Sequence, residues 1–471
     1  MEGFFNPKSI AIFGASATPG KAGYNIMWNL RNLRLKNGIF PINPTRDEIL
    51  GIKVFESIED IPENVHPIDL AVICIHPRHV KETIQDCIKH GVKNIIIESG
   101  QLAETDEESQ KVAVELKNMI EENARPPRIM GPNSIGVVDL HTGVNTSLIP
   151  FESLPDAARD GVAVVGQTGL IASGYLQRIF AEKTFPVSKI CCLGNKFDIN
   201  ELDIMEYLRS DPKTKVIAIY LEDTSNGREF MEIARQCVET AGKPVVILKS
   251  GRSEAGARMV SSHTGSLAGD DKIFSAASSA SGLTRVENFE EMWIQAQFFY
   301  RAGGIQGNRL GVISISGAGC ALSADAAEQY GMLIPEFTEK ITRGLDEIIP
   351  SWFAYGNPLD LWSTIEQLGA PQAYAKALEI LLEDNLNAVL IVNLAMPESL
   401  MDWEHLEKMR LKFPNKPIYL SLLGGHEDLV REWVKKCAEL NIPITKSPDF
   451  AIKTMYRAYK LYKWQERQKH S

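Results

Sequence analysis

One histidine, His263, stands in the run "SSHTGSLAGDD" (residues 261–271) among small and hydroxylic side chains, with Leu267 the only large apolar residue. That setting does not suit a core position. As a metal ligand the imidazole lacks donors at helical or hairpin spacing. As the base of a serine nucleophile it lacks the G-x-S-x-G elbow, which the chain does not contain. A phosphate-carrying imidazole fits better, because Ser262, Thr264, Gly265 and Ser266 offer hydroxyls and backbone N–H groups to the phosphoryl oxygens. Covalent transfer through such a group divides one difficult step into two, and phosphoryl transfer relies on positioning and charge stabilisation. On these residues alone a hydrogen-bonded loop histidine remains the competing reading.

Three Gly-rich turns supply the second kind of chemistry. Each follows a short apolar strand and opens a helix of small residues: "SIAIFGASATPGKAG" turns at Gly14 to Gly23, "GVAVVGQTGLIASG" at Gly166 to Gly169 and "LGVISISGAGCAL" at Gly317 to Gly319. A helix N-terminus presents unpaired N–H groups and a positive dipole end, so each turn is a candidate phosphate site or simply a tight turn. The first turn fails stricter tests. Five residues separate Gly14 from Gly20 and Ala22 follows Lys21, which excludes a Walker A loop. Ser16 stands where a dinucleotide fingerprint needs glycine, and the next strand runs into Asn43-Pro44 and then Arg46. Arg46 suits a nucleotide with an extra ribose phosphate, such as NADP or coenzyme A, or is a solvated surface charge.

Positioning these groups requires strands that alternate with helices. The continuous apolar runs "DLAVICI", "NIIIES", "VIAIYLE", "PVVILK", "NAVLIVN" and "PIYLSLL" predict α/β architecture, with mainly parallel sheets covered on both faces. Regular structure lapses over residues 141–161 and 301–309, which predicts three Rossmann- or flavodoxin-like domains at 1–140, 155–300 and 305–471. In such sheets ligands bind beyond the carboxyl ends of the strands, where the turns lie.

The chain has 471 residues, 44% hydrophobic and 23% charged, with a net charge of -10. Its length exceeds one hydrophobic core, and its acidity argues against a general nucleic-acid or acidic-membrane binder. No apolar run reaches membrane-spanning length, and the first residues lack the pattern of a signal peptide. The seven cysteines are scattered without C-x-x-C, so free thiols in the cytoplasm are expected. Cys191-Cys192 reads as a buried strand end or part of an acyl site. The basic C-terminal stretch "YRAYKLYKWQERQKHS" reads as a terminal helix or subunit contact.

The segments "KPVVILKSGRSEAGARMVSSHTGSLAGDD" and "CLGNKFDINELDIMEYLRSDPKTKVIAIYLED" resemble the ADP-forming acyl-CoA synthetases, relatives of succinyl-CoA synthetase. "GASATPGKAG", "INPTRDEILGIKV" and "RIMGPNSIGV" resemble that family's CoA-binding domain, and "YGNPLDLW" with the third turn resembles its extra C-terminal domain. The resemblance implies a CoA-binding domain plus two succinyl-CoA-ligase-like domains. It also implies reversible conversion of acyl-CoA, ADP and phosphate into acid, CoA and ATP, through acyl phosphate and a phosphohistidine on His263. Glu222 then orients the histidine, as a carboxylate fixing the imidazole tautomer would. Coenzyme A falls to Gly14, Ala15, Ser16, Thr18, Lys21, Arg46, Glu98, Ser99 and Gly100, and phosphate or substrate to Asn133, Gln167, Thr168 and Gly169.

Two positions depart from the family pattern: Gly166 replaces a usual serine, and Gln101 stands where a Gly-Phe pair would place the aromatic ring. No second region resembles an ATP-grasp domain. The expectation is therefore an α-type subunit in an α2β2 assembly, with ADP or ATP and Mg2+ on a separate β subunit. The competing classes are a CoA- or acyl-CoA-binding regulatory module, which has no need of His263 and Glu222, and an NADP oxidoreductase, which leaves His263 unexplained.

Overall fold

The computed structural model describes residues 1–32, 38–100, 114–120, 122–124, 126–151, 160–264 and 270–470. Its chain groups into two compact units, Met1–Ala181 with Pro186–Glu287, and Glu182–Phe185 with Asn288–Ser471. The α/β expectation holds, since the three large sheets are mainly parallel, with one antiparallel extension.

In the first unit, one five-stranded sheet runs in the order Ile39–Ile42, Ile10–Phe13, Leu70–Ile73, Asn94–Ile97, Arg128–Met130. All of its pairs are parallel. Apolar runs such as "IAIF" and "LAVI" are buried throughout, as strands covered on both faces must be. One face packs Ala11, Ile73, Ile84, Ile95 and Ile129 into a shared core. Fully burying each large aliphatic side chain contributes about 1.5–3 kcal/mol.

The second sheet of this unit has seven strands. Five are parallel, in the order Thr284–Val286, Val245–Lys249, Thr214–Leu221, Gly161–Gly166, Val187–Cys192. Val137–Asp139 and Val144–Asn145 then continue it antiparallel. The chain thus leaves the first sheet at Met130 and reaches the second within a few residues. A buried ion cluster marks the join: Lys189 Nζ lies 3.2 Å from Asp139 and 2.9 Å from Asp211.

The second unit holds a parallel sheet ordered Leu359–Asp360, Leu310–Ser314, Ala388–Ala395, Ile418–Gly425, Ile444–Thr445. The helix Phe289–Ala302 belongs to this unit. So does the long C-terminal helix Pro448–Lys469, whose Lys453 and Arg457 pair with the buried Glu291. No helix among the described residues is long and apolar enough to cross a membrane.

Candidate active site

The first Gly-rich turn is built by close approach. Gly14 has φ +84°, and a Cβ there would lie 2.5 Å from the Cys74 carbonyl oxygen. A Cβ on Gly23 would lie 2.1 Å from the Gly14 carbonyl oxygen, so the helix Ala22–Asn32 sits directly against the turn. Only glycine fits either position. Ser16 Oγ accepts from the Thr18 N–H at 3.1 Å. The neighbouring strand end is tied to the same turn, because Asn43 Nδ2 donates to the Ala15 carbonyl at 2.8 Å. Lys21 and Arg46 therefore project from adjoining loops at one sheet edge, both exposed. Two exposed cations beside a helix start suit a polyphosphate or a ribose phosphate.

Farther along that edge, Ser99 Oγ donates to the Ile75 carbonyl at 2.6 Å, and the Ser99 carbonyl accepts from Asn133 N–H at 3.1 Å. A Cβ on Gly100 would meet Asn133 Oδ1 at 3.5 Å. The segment 131–134 then interlocks with the loop 193–196. Asn195 N–H donates to the Pro132 carbonyl at 2.8 Å, and a Cβ on Gly194 (φ +61°) would lie 2.1 Å from that same oxygen. The structure thus brings Ser99, Gly100 and Asn133 from the first sheet against the loop that follows Val187–Cys192 in the second.

The second turn carries the polar centre. The Gln167 side-chain carbonyl accepts the Glu222 N–H at 2.9 Å and the Asp223 N–H at 3.4 Å, while its Nε2 donates to Asp223 Oδ1 at 2.9 Å. Tyr220 Oη lies 3.3 Å from Glu222 Oε1. Lys196 Nζ binds Asp223 Oδ1 at 2.5 Å and Glu201 Oε2 at 3.0 Å, and Glu201 also receives the Ser225 N–H. Gln167, Glu201 and Glu222 are all buried, so these polar groups are fixed by one another. Glu201 is positioned at the first turn of Glu201–Ser210 by the capping box of Asn200 and Asp203. Lys196, Glu201 and Asp223 were not singled out from sequence. The one local signal was that "NELD" capping pattern.

Thr168 Oγ1 accepts from the Leu170 N–H at 3.3 Å, and the helix that follows opens with a π turn over Ile171–Tyr175, a feature frequent at functional sites. A Cβ on Gly169 would meet Ile135 Cδ1 at 2.2 Å, and one on Gly166 would meet Ile171 Cδ1 at 2.3 Å. Gly166 therefore leaves room for the π turn's own side chain. Cys191 and Cys192 are buried at the strand end, and burial pushes the Cys192 thiol up to about 12. Beside Glu222, the ammonium of Lys249 donates to the Ser250 carbonyl at 2.7 Å, and burial lowers its pKa.

His263 falls in the helix Glu254–Thr264, and its side chain, like Gln101 and residues 265–269, lies outside what the structure describes. The residues after that segment are firmly held: Asp270 caps Asp271–Ala280, and Arg285 pairs with Asp271. The third turn lines a cavity of about 410 Å3 in the second unit with Asp360, Trp362 and Glu398. Two carboxylates there do not favour a free phosphate.

Residues 8–139 match the family model of a CoA binding domain, and residues 159–299 match the succinyl-CoA ligase like flavodoxin domain. The chain is 32% identical to the acetate–CoA ligase (ADP-forming) I subunit alpha of Pyrococcus furiosus, covering 100% of this chain and 99% of that one. It is 33% identical to acetate–CoA ligase (ADP-forming) II of Archaeoglobus fulgidus, over 98% of this chain and 67% of that protein. The dinucleotide-forming acetyl-coenzyme A synthetase 1 of Ca. Korarchaeum cryptofilum, solved with phosphate and ADP, superposes with a TM-score of 0.85 at 26% identity, covering 99% and 98% of the two chains. The chain belongs to the ADP-forming acetate–CoA ligase family.

Proposed function

We propose that this chain is the acyl-CoA- and phosphate-handling α subunit of an ADP-forming acyl-CoA synthetase. Phosphate attacks the thioester to give an acyl phosphate and CoA, and His263 then takes the phosphoryl group and releases the acid. The observation that carries this reading is the end-to-end match with an α subunit of the same enzyme class. The buried arrangement of Gln167 and Glu222 at the ends of two adjacent parallel strands supports it locally.

In this reading CoA lies along Gly14, Ala15, Ser16, Thr18, Lys21 and Arg46, with its reactive end toward Glu98, Ser99 and Gly100. Asn133, Gln167, Thr168 and Gly169 form the phosphate end. Glu222 accepts a hydrogen bond from one imidazole nitrogen of His263, leaving the other neutral and nucleophilic. Its strand-end position is fixed by Gln167, and Lys196 neutralises the adjoining Asp223.

The nucleotide belongs to a partner. An ATP-grasp β subunit would hold ADP with Mg2+, which neutralises phosphate charge during transfer, in an α2β2 complex. The seven free cysteines agree with a cytoplasmic enzyme. The test is ATP formation from acyl-CoA, ADP and phosphate. The chain with its ATP-grasp partner is expected to turn over, and the chain by itself is not. Turnover by the single chain contradicts the division of labour, and CoA binding without turnover in the complex favours the regulatory module.

A further inference from the structure

We propose that the carboxyl group of Glu98 holds the proton exchanged with the sulfur of CoA as the thioester is cleaved and reformed. The proposal rests on the functional reading above and adds a proton-transferring residue to it.

Glu98 directly follows the strand Asn94–Ile97, and its N–H donates to the Ile73 carbonyl at 3.0 Å. Continuing the register Val72 with Ile96 and Ile73 with Ile97 sets Cys74 beside Glu98. The residue is 7% exposed. Both carboxyl oxygens are buried and neither has a hydrogen-bond partner among the described residues. Among the described residues, the titratable groups that sense its charge are the thiols of Cys74 and Cys192, one from each sheet. Each thiol is engaged elsewhere: Cys74 Sγ donates to the Phe13 carbonyl at 3.1 Å, and Cys192 Sγ to the Thr168 carbonyl at 3.7 Å. The carboxyl therefore stands between the strand ends that carry the CoA turn and the turn that carries Thr168.

An unsatisfied carboxyl in this position is costly. A leucine of similar size would bury without that penalty, so packing does not explain the residue. Burial raises its pKa well above the ordinary carboxyl range, which favours the protonated form. A buried acid in that state is matched to a thiolate leaving group.

The step balances without another reactant. An oxygen of hydrogen phosphate bonds to the thioester carbon, and the C–S bond breaks with its electron pair on sulfur. Sulfur takes the Glu98 proton, and the resulting carboxylate takes the proton of the attacking phosphate. The thiol has gained what phosphate lost, and Glu98 is restored. In reverse, Glu98 returns its proton to the departing phosphate, and the resulting carboxylate takes the proton of CoA as its sulfur bonds to the acyl phosphate carbon.

The test uses the assembled complex and labels His263 from either side. Labelled phosphate with acyl-CoA reports the thioester half-reaction, and γ-labelled ATP through the partner subunit reports the other half. In Glu98→Gln, acyl-CoA-dependent labelling is expected to fall by about 100-fold or more, the usual worth of a general acid–base group. ATP-dependent labelling is expected to stay at the wild-type rate. Retention of acyl-CoA-dependent labelling within about threefold overturns the proposal, and so does a parallel fall in both half-reactions, which marks a structural role. Wild-type protein that takes no label from either side sinks the functional reading itself, a result separable from both.

Discussion

The side chain of Gln167 holds the backbone of Glu222: its Oε1 accepts the Glu222 N–H at 2.9 Å across adjacent parallel strands. The Gln167 N–H in turn donates to the Tyr220 carbonyl at 3.1 Å, so turn and strand end are fastened twice. Gln167→Leu removes the acceptor for two N–H groups and the donor to Asp223. The expected cost is about 1–3 kcal/mol of stability for the orphaned polar groups. A glutamate displaced by 1 Å would slow His263 phosphorylation by about 100-fold, while CoA affinity stays unchanged. Single-turnover labelling and CoA titration on the same variant check this split.

Lys196 and Glu201 form an ion pair at 3.0 Å with side chains 5% and 0% exposed, and Asp223 shares the ammonium. Removing one member strands the others in a low-dielectric site. Lys196→Met is expected to lower stability by about 3–5 kcal/mol, and the double variant Lys196→Met/Glu201→Gln to recover part of that loss. Urea unfolding of the two variants beside the wild type measures it. A double variant no better than the single one contradicts the pairing.

Gly194 is expected to be the least replaceable glycine in the site. Its φ of +61° and a prospective Cβ 2.1 Å from the Pro132 carbonyl oxygen leave alanine no room, since the obstacle is backbone. Gly194→Ala should lose several degrees of melting temperature and the phosphorylation activity together. Gly227→Ala, at a helix start with nothing within 4 Å, is the control and should change stability by about 0.5 kcal/mol or less. Thermal melts of both variants decide.

The parallel sheets were legible because runs such as "NIIIES" and "VIAIYLE" carry no polar alternation, which only doubly covered strands allow. The turns were legible from glycine type and placement. The crossing of Val137–Asp139 into the second sheet was not, because a three-residue strand gives no periodicity and its buried partner Lys189 is remote in sequence. The site was half legible for the same reason. Gln167 and Glu222 are reached through the family resemblance, with their turn and strand-end positions agreeing, but Lys196, Glu201 and Asp223 acquire meaning only when loops distant in sequence meet.

Glu98 makes stability depend on pH with a defined sign. Burial raises its carboxyl well above the ordinary 4.5, so the folded chain keeps a proton that the unfolded chain releases. Below that ordinary value both states are protonated and the group costs nothing through linkage. As pH rises above it, stability falls by up to about 1.4 kcal/mol per pH unit until the folded-state value is passed. Glu98→Gln should therefore gain on the wild type progressively as pH rises above about 5 in denaturant titrations. A difference that does not change with pH above about 5 contradicts a carboxyl whose pKa is raised by burial.

The central claim is the phosphohistidine. The direct measurement mixes the chain with its ATP-grasp partner, a panel of acyl-CoAs and labelled phosphate, with ADP left out. The account predicts acid-labile, base-stable label on His263 that requires acyl-CoA and is absent from His263→Ala. The same protein binding CoA yet taking no label with any acyl-CoA would contradict it.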